Sequence, residues 1–182
     1  MYLPVMANNE VRIIGGQWRG RKLRFPDREG LRPTLSRVRE TLFNWLAPSI
    51  HEARCLDLYA GSGALGFEAL SRGAAEVTFV ERDRKAAAAL KNNAEILDAR
   101  ASVRQMTAER FLAGNSEPFD LILFDPPFAD TRALDLLPVL LDSHLSADGL
   151  LYLETGRRAT LPLPERVLKS STAGDCCFAL YQ

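Results

Sequence analysis

The tetrapeptide Asp125-Pro126-Pro127-Phe128 follows the apolar run 121–124 and combines a carboxylate, two rigid backbone positions and an aromatic ring. The prolines remove two backbone donors and fix φ, so neither a helix nor an interior strand continues through them. The Asp125 carboxylate and the Pro126 carbonyl could accept both hydrogens of a planar amino group, while Phe128 stacks on the base that carries it. We therefore predict methyl transfer to an amino nitrogen, with Asp125, Pro126 and Phe128 as catalytic residues.

A glycine-rich loop upstream provides a second candidate site. The pattern G-x-G-x-x-G runs from Gly61 to Gly66, between a predicted strand and a predicted helix. Glycines there let the backbone approach a ligand closely, and the start of the helix offers N–H groups without partners in the helix. Glu81 ends the next predicted strand, where an acidic side chain can hold a ribose diol. On this pattern alone the cofactor is either NAD or S-adenosylmethionine.

Two features favour S-adenosylmethionine over NAD. Asp57 lies in the strand before the loop, where a carboxylate would repel a pyrophosphate but could hold the amino end of a methionine moiety. The tetrapeptide has no role in hydride transfer, yet it follows the fourth strand of the series, at the edge where ligands of open α/β sheets bind. The residues that we expect to bind the cofactor are Asp57, Tyr59, Gly61, Ser62, Gly63, Glu81, Arg82, Thr107, Ala108 and Asp125.

The order of elements from residue 54 onwards predicts an α/β fold. Short apolar strands alternate with helices, as in a parallel sheet that helices cover on both faces. The predicted strands are 54–59, 76–80, 102–106, 119–124 and 150–154, and the predicted helices are 64–72, 84–97, 108–112 and 131–145. Asp83 and Asp130 occupy N-cap positions. Two further apolar runs around 172–175 predict a closing antiparallel hairpin.

The N-terminal region predicts a basic β-hairpin followed by a helix. Residues 11–14 and 17–23 would pair across a turn at Gly15-Gly16, and residues 36–47 have helical spacing. We divide the chain into an arm, residues 1–34, and a methyltransferase domain, residues 35–182. Trp18 and Phe25 could add stacking to the arm.

The net charge of zero hides an asymmetry. Nine basic and two acidic residues lie between Arg12 and Arg39, so that segment carries +7 and the rest of the chain −7. Such an excess of cations favours contact with nucleic-acid phosphates. The residues that we expect to bind RNA are Arg12, Arg19, Arg21, Lys22 and Arg32.

The cysteine spacing and the lengths of the apolar runs argue against a metal site, a membrane span and a signal peptide. The three cysteines have no CxxC or Cys/His spacing, which indicates a reducing, cytoplasmic setting and no metal site. No apolar run approaches the roughly 20 residues of a membrane span, and the N-terminus lacks the pattern of a signal peptide. We expect a soluble, unprocessed protein.

Two stretches carry a resemblance to a known family. Asp57-Leu-Tyr-Ala-Gly-Ser-Gly and Asp125-Pro-Pro-Phe resemble the first and fourth motifs of class I amino methyltransferases. The stretch Arg12-Ile-Ile-Gly-Gly-Gln-Trp-Arg-Gly-Arg-Lys-Leu, with the later Leu31-Arg-Pro-Thr and Arg37-Val-Arg-Glu-Thr-Leu-Phe-Asn-Trp-Leu, resembles the RsmD family of 16S ribosomal RNA guanine-N2 methyltransferases. The likeness covers nearly the whole chain from 11 to 181. The first ten residues and Cys176-Cys177 depart from the usual pattern.

The resemblance implies a Rossmann-like class I methyltransferase fold with a seven-stranded, mostly parallel sheet and S-adenosylmethionine as methyl donor. It implies a guanine N2 in 16S ribosomal RNA, at position 966, as the acceptor. The implied partner is that RNA within the small ribosomal subunit or an assembly intermediate. Nothing in the sequence demands a dimer, and we expect a monomer.

The first residue of the tetrapeptide bears on the acceptor. Related enzymes that methylate a DNA adenine or a protein glutamine commonly have Asn there, so Asp125, together with the small size of the chain, favours guanine. Those acceptors stay as alternatives, as does a non-catalytic RNA-binding protein on the same fold. After transfer the nitrogen carries an extra proton and is strongly acidic, so Asp125 or water could take it without a tuned base.

Overall fold

The structure is a computed structural model that describes residues 8–27 and 33–182. The chain begins with two antiparallel strands, β1 (Asn8–Arg12) and β2 (Lys22–Pro26), in which Arg12 lies opposite Lys22. The predicted turn at Gly15-Gly16 is wrong, because pairing ends at Ile13, whose N–H donates to the Arg21 carbonyl and whose carbonyl accepts from the Gly20 N–H, both at 2.9 Å. The intervening residues bend away from the hairpin, since their backbone groups bind a neighbouring helix.

A seven-stranded sheet forms the centre of the molecule, in the order β5-β4-β3-β6-β7-β9-β8. The parallel strands are β3 (Arg54–Asp57), β4 (Glu76–Val80), β5 (Ala101–Arg104), β6 (Phe119–Phe124) and β7 (Leu145–Gly156). The last two, β8 (Val167–Ala173) and β9 (Cys176–Tyr181), form the predicted hairpin, and β9 pairs antiparallel with β7. This confirms the mostly parallel α/β sheet with a closing antiparallel hairpin.

One helix precedes the first parallel strand, and the others connect the parallel strands. The helices are α1 (Ser36–Leu46), α2 (Ala64–Ser71), α3 (Arg84–Ile96), α4 (Ala108–Gly114) and the short α5 (Leu137–Val139). Asp83 caps α3 as predicted, accepting from the Ala86 N–H at 2.9 Å. Asp130 makes no side-chain cap bond, because a 3-10 turn, Thr131–Leu136, follows it instead of an α-helix.

The largest difference from the predicted elements concerns β7. It begins at Leu145, where a helix was predicted to end, and runs for 12 residues rather than the five predicted. The preceding segment 131–144 changes from a 3-10 turn through α5 to a π turn. A register shift between Phe119 and Leu121 on β6 accommodates the extra length of β7.

Two buried apolar clusters cover the two faces of the sheet, and the hairpin contributes to one of them. Val11, Ile13, Leu23 and Phe25 lie in the cluster that also holds Leu42 of α1. Phe25 is only 4% exposed, so its predicted role in stacking on RNA is wrong. The boundary at residue 34 stays a prediction. Among the helices of the described residues, none is long and apolar enough to cross a membrane.

Candidate active site

Acidic side chains from four strands meet at the carboxyl edge of the sheet. Asp57 ends β3, Glu81 follows β4, and Asp125 follows β6. Leu153 of β7 lies opposite the last residue of β6, which places Glu154 directly beside Asp125. Residues in register on neighbouring parallel strands point to the same face, so these two carboxylates share one side of the sheet.

The glycine loop is built over Asp57. Gly61 and Gly63 have φ of 51° and 77°, a conformation that favours glycine and lets the chain turn directly into α2. The Gly66 N–H donates to Asp57 Oδ2 at 3.0 Å, and a Cβ at Gly66 would overlap the ring of Phe79. Asp57 is 2% exposed, and burial raises its pKa to about 7, with the charge of Glu81 adding to the effect.

Glu81 joins the glycine loop to the start of α3. One carboxylate oxygen accepts from the Gly61 N–H at 2.9 Å and the other from the Asp83 N–H at 2.7 Å. Each oxygen keeps a second lone pair, so the side chain can still accept from a diol. A carboxylate held in this way fits a ribose and excludes a phosphate from the same position.

Tyr59 supplies an independent sign that a ligand belongs here. Its hydroxyl is buried, and among the described residues nothing bonds to it. Burial raises the pKa of Tyr59 to about 12, so the group is a neutral donor at physiological pH. Buried polar groups normally have partners, and an unpaired one beside the loop fits a cofactor that would supply one.

The other predicted cofactor residues lie around the same loop and edge. The Ser62 hydroxyl accepts from the Ala64 N–H at 3.3 Å, so it supports the loop. Thr107 caps α4 by accepting from the Arg110 N–H at 3.3 Å. Ala108 is buried, whereas Arg82 is exposed next to Glu81. Their contacts with a cofactor stay predictions.

The tetrapeptide 125–128 combines an available carbonyl with an exposed ring, and its catalytic role stays a prediction. The Asp130 N–H donates to the Pro127 carbonyl at 2.8 Å, whereas no donor among the described residues reaches the carbonyl of Pro126. Phe128 is 52% exposed, one of five large apolar side chains among the described residues that face solvent to this degree. Its ring lies against Gly156 at the end of β7. An exposed ring beside an available carbonyl and a carboxylate fits a planar base.

Thr34 is a site residue that the sequence did not reveal. Its hydroxyl donates to Asp125 Oδ2 at 3.2 Å, and the side chain is buried. Burial raises the pKa of Asp125 well above its usual value, and the charges of Glu154 and Asp57 raise it further, while the Thr34 bond opposes the change. Thr34 therefore orients the carboxylate and favours its ionised form.

Glu154 was also missed, although a signal was present. It ends the strand predicted for 150–154, in the same position that identified Glu81 on its own strand. The Tyr152 hydroxyl donates to Glu154 Oε2 at 2.8 Å, and the carboxylate is 5% exposed. Burial raises the pKa of the nearby Cys176 thiol on β9 to about 12, and the charge of Glu154 raises it further.

The predicted RNA-binding residues form an exposed basic surface on the hairpin. Arg12, Arg19, Arg21 and Lys22 are all exposed, whereas Arg32 lies outside the described residues. A groove of about 600 Å³ separates this surface from α3. Lys22 Nζ lies 2.6 Å from the Glu10 carboxylate, and Arg12 donates to the Gly20 carbonyl at 3.0 Å. Trp18 is half-buried and packs on the core.

One cation counted in the basic segment is not on the surface. Arg39 is 1% exposed, and its Nη1 lies 3.3 Å from Glu68 Oε2, itself fully buried. Glu68 also accepts from the Ile14 and Gly15 N–H groups at 2.9 and 2.8 Å. Arg39 Nε donates to the Thr34 carbonyl at 3.2 Å. This buried pair therefore connects the loop of the hairpin with the residue that orients Asp125.

A second contact fixes the hairpin to the domain. The Asn93 side chain of α3 accepts from the Arg24 N–H at 3.3 Å and donates to the Arg24 carbonyl at 2.9 Å. The Asn93 side chain thus bonds to both backbone groups of Arg24 on β2, as a neighbouring strand would.

Within the described residues, no group of three or more His, Cys, Asp or Glu side chains is arranged to hold a metal ion.

Comparison with known proteins gives consistent matches along the chain. The family described as Conserved hypothetical protein 95 matches residues 11–182. The chain is 46% identical to "Ribosomal RNA small subunit methyltransferase D" of Haemophilus influenzae over 184 residues, 97% of this chain and 95% of that protein. The curated Escherichia coli K12 protein of the same name is 46% identical over 97% of this chain and 91% of its own length.

Solved structures match the fold. A putative methyltransferase, yhhF, from Escherichia coli is 46% identical with a TM-score of 0.83, over 96% of this chain and 98% of that one. A Thermus thermophilus 16S rRNA N2 G1207 methyltransferase, solved with AdoMet and guanosine, has a TM-score of 0.78 at 22% identity and covers 100% of this chain and 52% of that one. At that identity the second match shows a common fold.

Proposed function

The chain belongs to the RsmD family, the small-subunit ribosomal RNA methyltransferases matched by Conserved hypothetical protein 95, and we propose that it methylates the exocyclic N2 of guanine 966 in 16S ribosomal RNA. It is an S-adenosylmethionine-dependent ribosomal RNA methyltransferase. The observation that carries the proposal is the juxtaposition of Asp125, oriented by Thr34, with the available Pro126 carbonyl and the exposed ring of Phe128.

The donor site follows from the glycine loop. When bound, S-adenosylmethionine supplies the electrophilic methyl group. Glu81 would accept from its ribose hydroxyls, and the buried Asp57 and the Tyr59 hydroxyl would lie along its amino acid portion and sulfonium. Negative charge at Asp57 opposes a pyrophosphate beside the glycine loop, which disfavours NAD.

The acceptor site explains how a poor nucleophile reacts. The N2 lone pair of guanine is delocalised into the ring until its hydrogens are held and the nitrogen can become pyramidal. Asp125 and the Pro126 carbonyl accept those two hydrogens and direct the lone pair at the methyl group, which is mainly an orientation effect. Phe128 stacks on the extruded base, a contact worth roughly 1–3 kcal/mol.

Guanine suits this edge better than adenine does. In guanine the N1–H lies beside the N2 amino group, so N1 and N2 both donate hydrogen bonds. In adenine the N6 amino group lies beside N1, which is an acceptor. The pocket offers acceptors, the carboxylates of Asp125 and Glu154 and the Pro126 carbonyl. The adenine N1, itself an acceptor, would face these acceptors without a hydrogen to share, which supports guanine as the base.

We propose that the enzyme acts as a cytoplasmic monomer.

Transfer of a labelled methyl group to unmodified small-subunit RNA tests the proposed function. We expect N2-methylguanine at a single position, with S-adenosylmethionine as donor, and nucleoside analysis after digestion identifies the product. Naked RNA and assembled small subunits are compared, since the substrate is proposed to be the subunit or its assembly intermediate. N6-methyladenine as the product, or binding of NAD in place of the methyl donor, would overturn the assignment.

Charge reversal on the hairpin should weaken RNA binding. The double variant Arg19→Glu, Arg21→Glu changes two exposed side chains of the basic surface. We expect lower affinity for small-subunit RNA and a salt dependence reduced by about one unit of log–log slope for each phosphate that the variant no longer binds. Binding measured from low to moderate salt gives both quantities.

The matched control is Arg100→Glu, Lys169→Glu, which changes the net charge equally at exposed positions before β5 and on β8. It should lower affinity less and keep the wild-type slope. Equal effects of the two double variants would show that the RNA responds to net charge alone, and the hairpin would lose its proposed role.

A further inference from the structure

Glu154 holds none of the reacting atoms in the proposed reaction, yet its carboxylate lies in the acceptor site. Leu153 pairs with Phe124, so the next residue on each strand, Glu154 and Asp125, are neighbours on the same face. Glu154 is 5% exposed and bonds to the Tyr152 hydroxyl at 2.8 Å. A hydrogen bond from a neutral hydroxyl stabilises a carboxylate without cancelling its charge.

The groups that face Asp125 come from every element around it. Thr34 approaches from the segment before α1, Asp57 from β3, Tyr152 and Glu154 from β7, and Cys176 from β9. Thr34 and Tyr152 are hydroxyl groups, the Cys176 thiol is neutral, and the others are acids. The buried cation Arg39 donates to the Thr34 carbonyl and is paired with Glu68.

We propose that Glu154 is a positioning residue that works through Asp125, its charge making Asp125 the group that receives the proton released by the methylated nitrogen. This inference rests on the proposed function. The guanine nitrogen forms a bond to the methyl carbon while the carbon–sulfur bond breaks and its electron pair stays on sulfur. The nitrogen is then positive, and one of its hydrogens passes as a proton to the Asp125 carboxylate, which later releases it to water.

The second charge makes Asp125 a better proton acceptor than an isolated carboxylate. Burial is the larger cause of its raised pKa, and the neighbouring Glu154 raises that pKa further. The raised pKa of Asp125 narrows the pH range in which the enzyme is active, because Asp125 must be ionised to hold the amino hydrogens. Activity should therefore fall as the pH drops through the raised pKa of Asp125.

The test is the pH profile of single-turnover methyl transfer at saturating RNA and S-adenosylmethionine. Glu154→Gln removes the charge while keeping the size and an acceptor for Tyr152. We expect its acid limb to move to lower pH by about one unit, because without the neighbouring charge Asp125 stays ionised to lower pH. A side chain with only a structural role would change the rate without moving the limb.

Two control variants separate charge from packing. Glu154→Asp keeps the charge and should have an acid limb closer to that of the wild type than to that of Glu154→Gln. Cys176→Ser alters the same pocket without a change of charge and should keep the wild-type limb. Should Glu154→Gln not fold, Asp125→Asn provides the measurement, because its residual activity should have no acid limb.

Persistence of the limb in Asp125→Asn, or an unmoved limb in a folded Glu154→Gln, would overturn the role of Glu154. Failure of the proposed function is distinct from this outcome. If the proposed function is wrong, the wild-type enzyme produces no N2-methylguanine at any pH. If only the role of Glu154 is wrong, the wild-type enzyme still forms that product.

Discussion

Replacement of Asp125 by alanine is expected to lower the rate of methyl transfer by about 10³-fold or more while leaving the affinity for S-adenosylmethionine nearly unchanged. On the proposed mechanism the variant loses the acceptor that holds one amino hydrogen and the group that takes the proton. Asp125 was also expected to contact the cofactor, but the loop around Gly61 and Glu81 keeps its own hydrogen bonds without it, so we expect its main contacts in catalysis to be with the base. Single-turnover rates and calorimetric binding of the cofactor give the two quantities.

The same substitution should not destabilise the fold. Asp125 contributes a bond to Thr34, but its carboxylate is buried near Glu154 and Asp57. Removal of a charge that is repelled by its neighbours offsets the missing hydrogen bond, so we expect the free energy of unfolding to be unchanged or higher. Asp125→Asn keeps one acceptor oxygen and should retain measurable activity. A loss of cofactor affinity in Asp125→Ala comparable to the loss of rate would place this residue in the donor site instead.

The second large effect concerns the buried ion pair. Glu68→Ala should lower the free energy of unfolding by about 3–5 kcal/mol, because Arg39 is left as a buried charge without its partner. Burial already lowers the pKa of the Arg39 guanidinium, with the charge of Glu68 opposing the change. The substitution also leaves the Ile14 and Gly15 N–H groups without their acceptor. Urea denaturation measures the change.

A matched control comes from an ion pair on the surface. Arg54 lies 2.8 Å from Glu117, whose side chain is 70% exposed. Glu117→Ala should lower the free energy of unfolding by less than about 1 kcal/mol, as is usual for exposed pairs. Similar losses in the two variants would mean that the buried pair does not anchor the hairpin as its contacts indicate.

Local patterns predicted the elements of the sheet well. The strands predicted at 76–80 and 119–124 coincide with β4 and β6. Their apolar runs are bounded by polar or turn-forming residues, so length and composition are enough to identify them. The same patterns placed Asp57, Glu81 and Asp125 at one edge, because the carboxyl ends of parallel strands meet there.

Contacts between distant segments could not be predicted in this way. Thr34 reaches Asp125 across 91 positions of sequence, and nothing local distinguishes it from any threonine after a proline. Arg39 looked like one more surface cation because its burial depends on Glu68 from another helix. The turn predicted at Gly15-Gly16 was wrong for the same reason, since Glu68 of α2 accepts hydrogen bonds from the backbone N–H groups there.

The anchoring of the hairpin has a consequence for how the enzyme selects its target. Glu68 and Asn93 hold its loop and its second strand against α2 and α3, so the backbone that carries its cations is fixed to the domain that carries Asp125 and Phe128. For an RNA bound as proposed, the phosphates that bind the hairpin determine which base can reach Asp125 and Phe128. A guanine in a helix of the wrong length or bend would then be rejected without any of its neighbours being read.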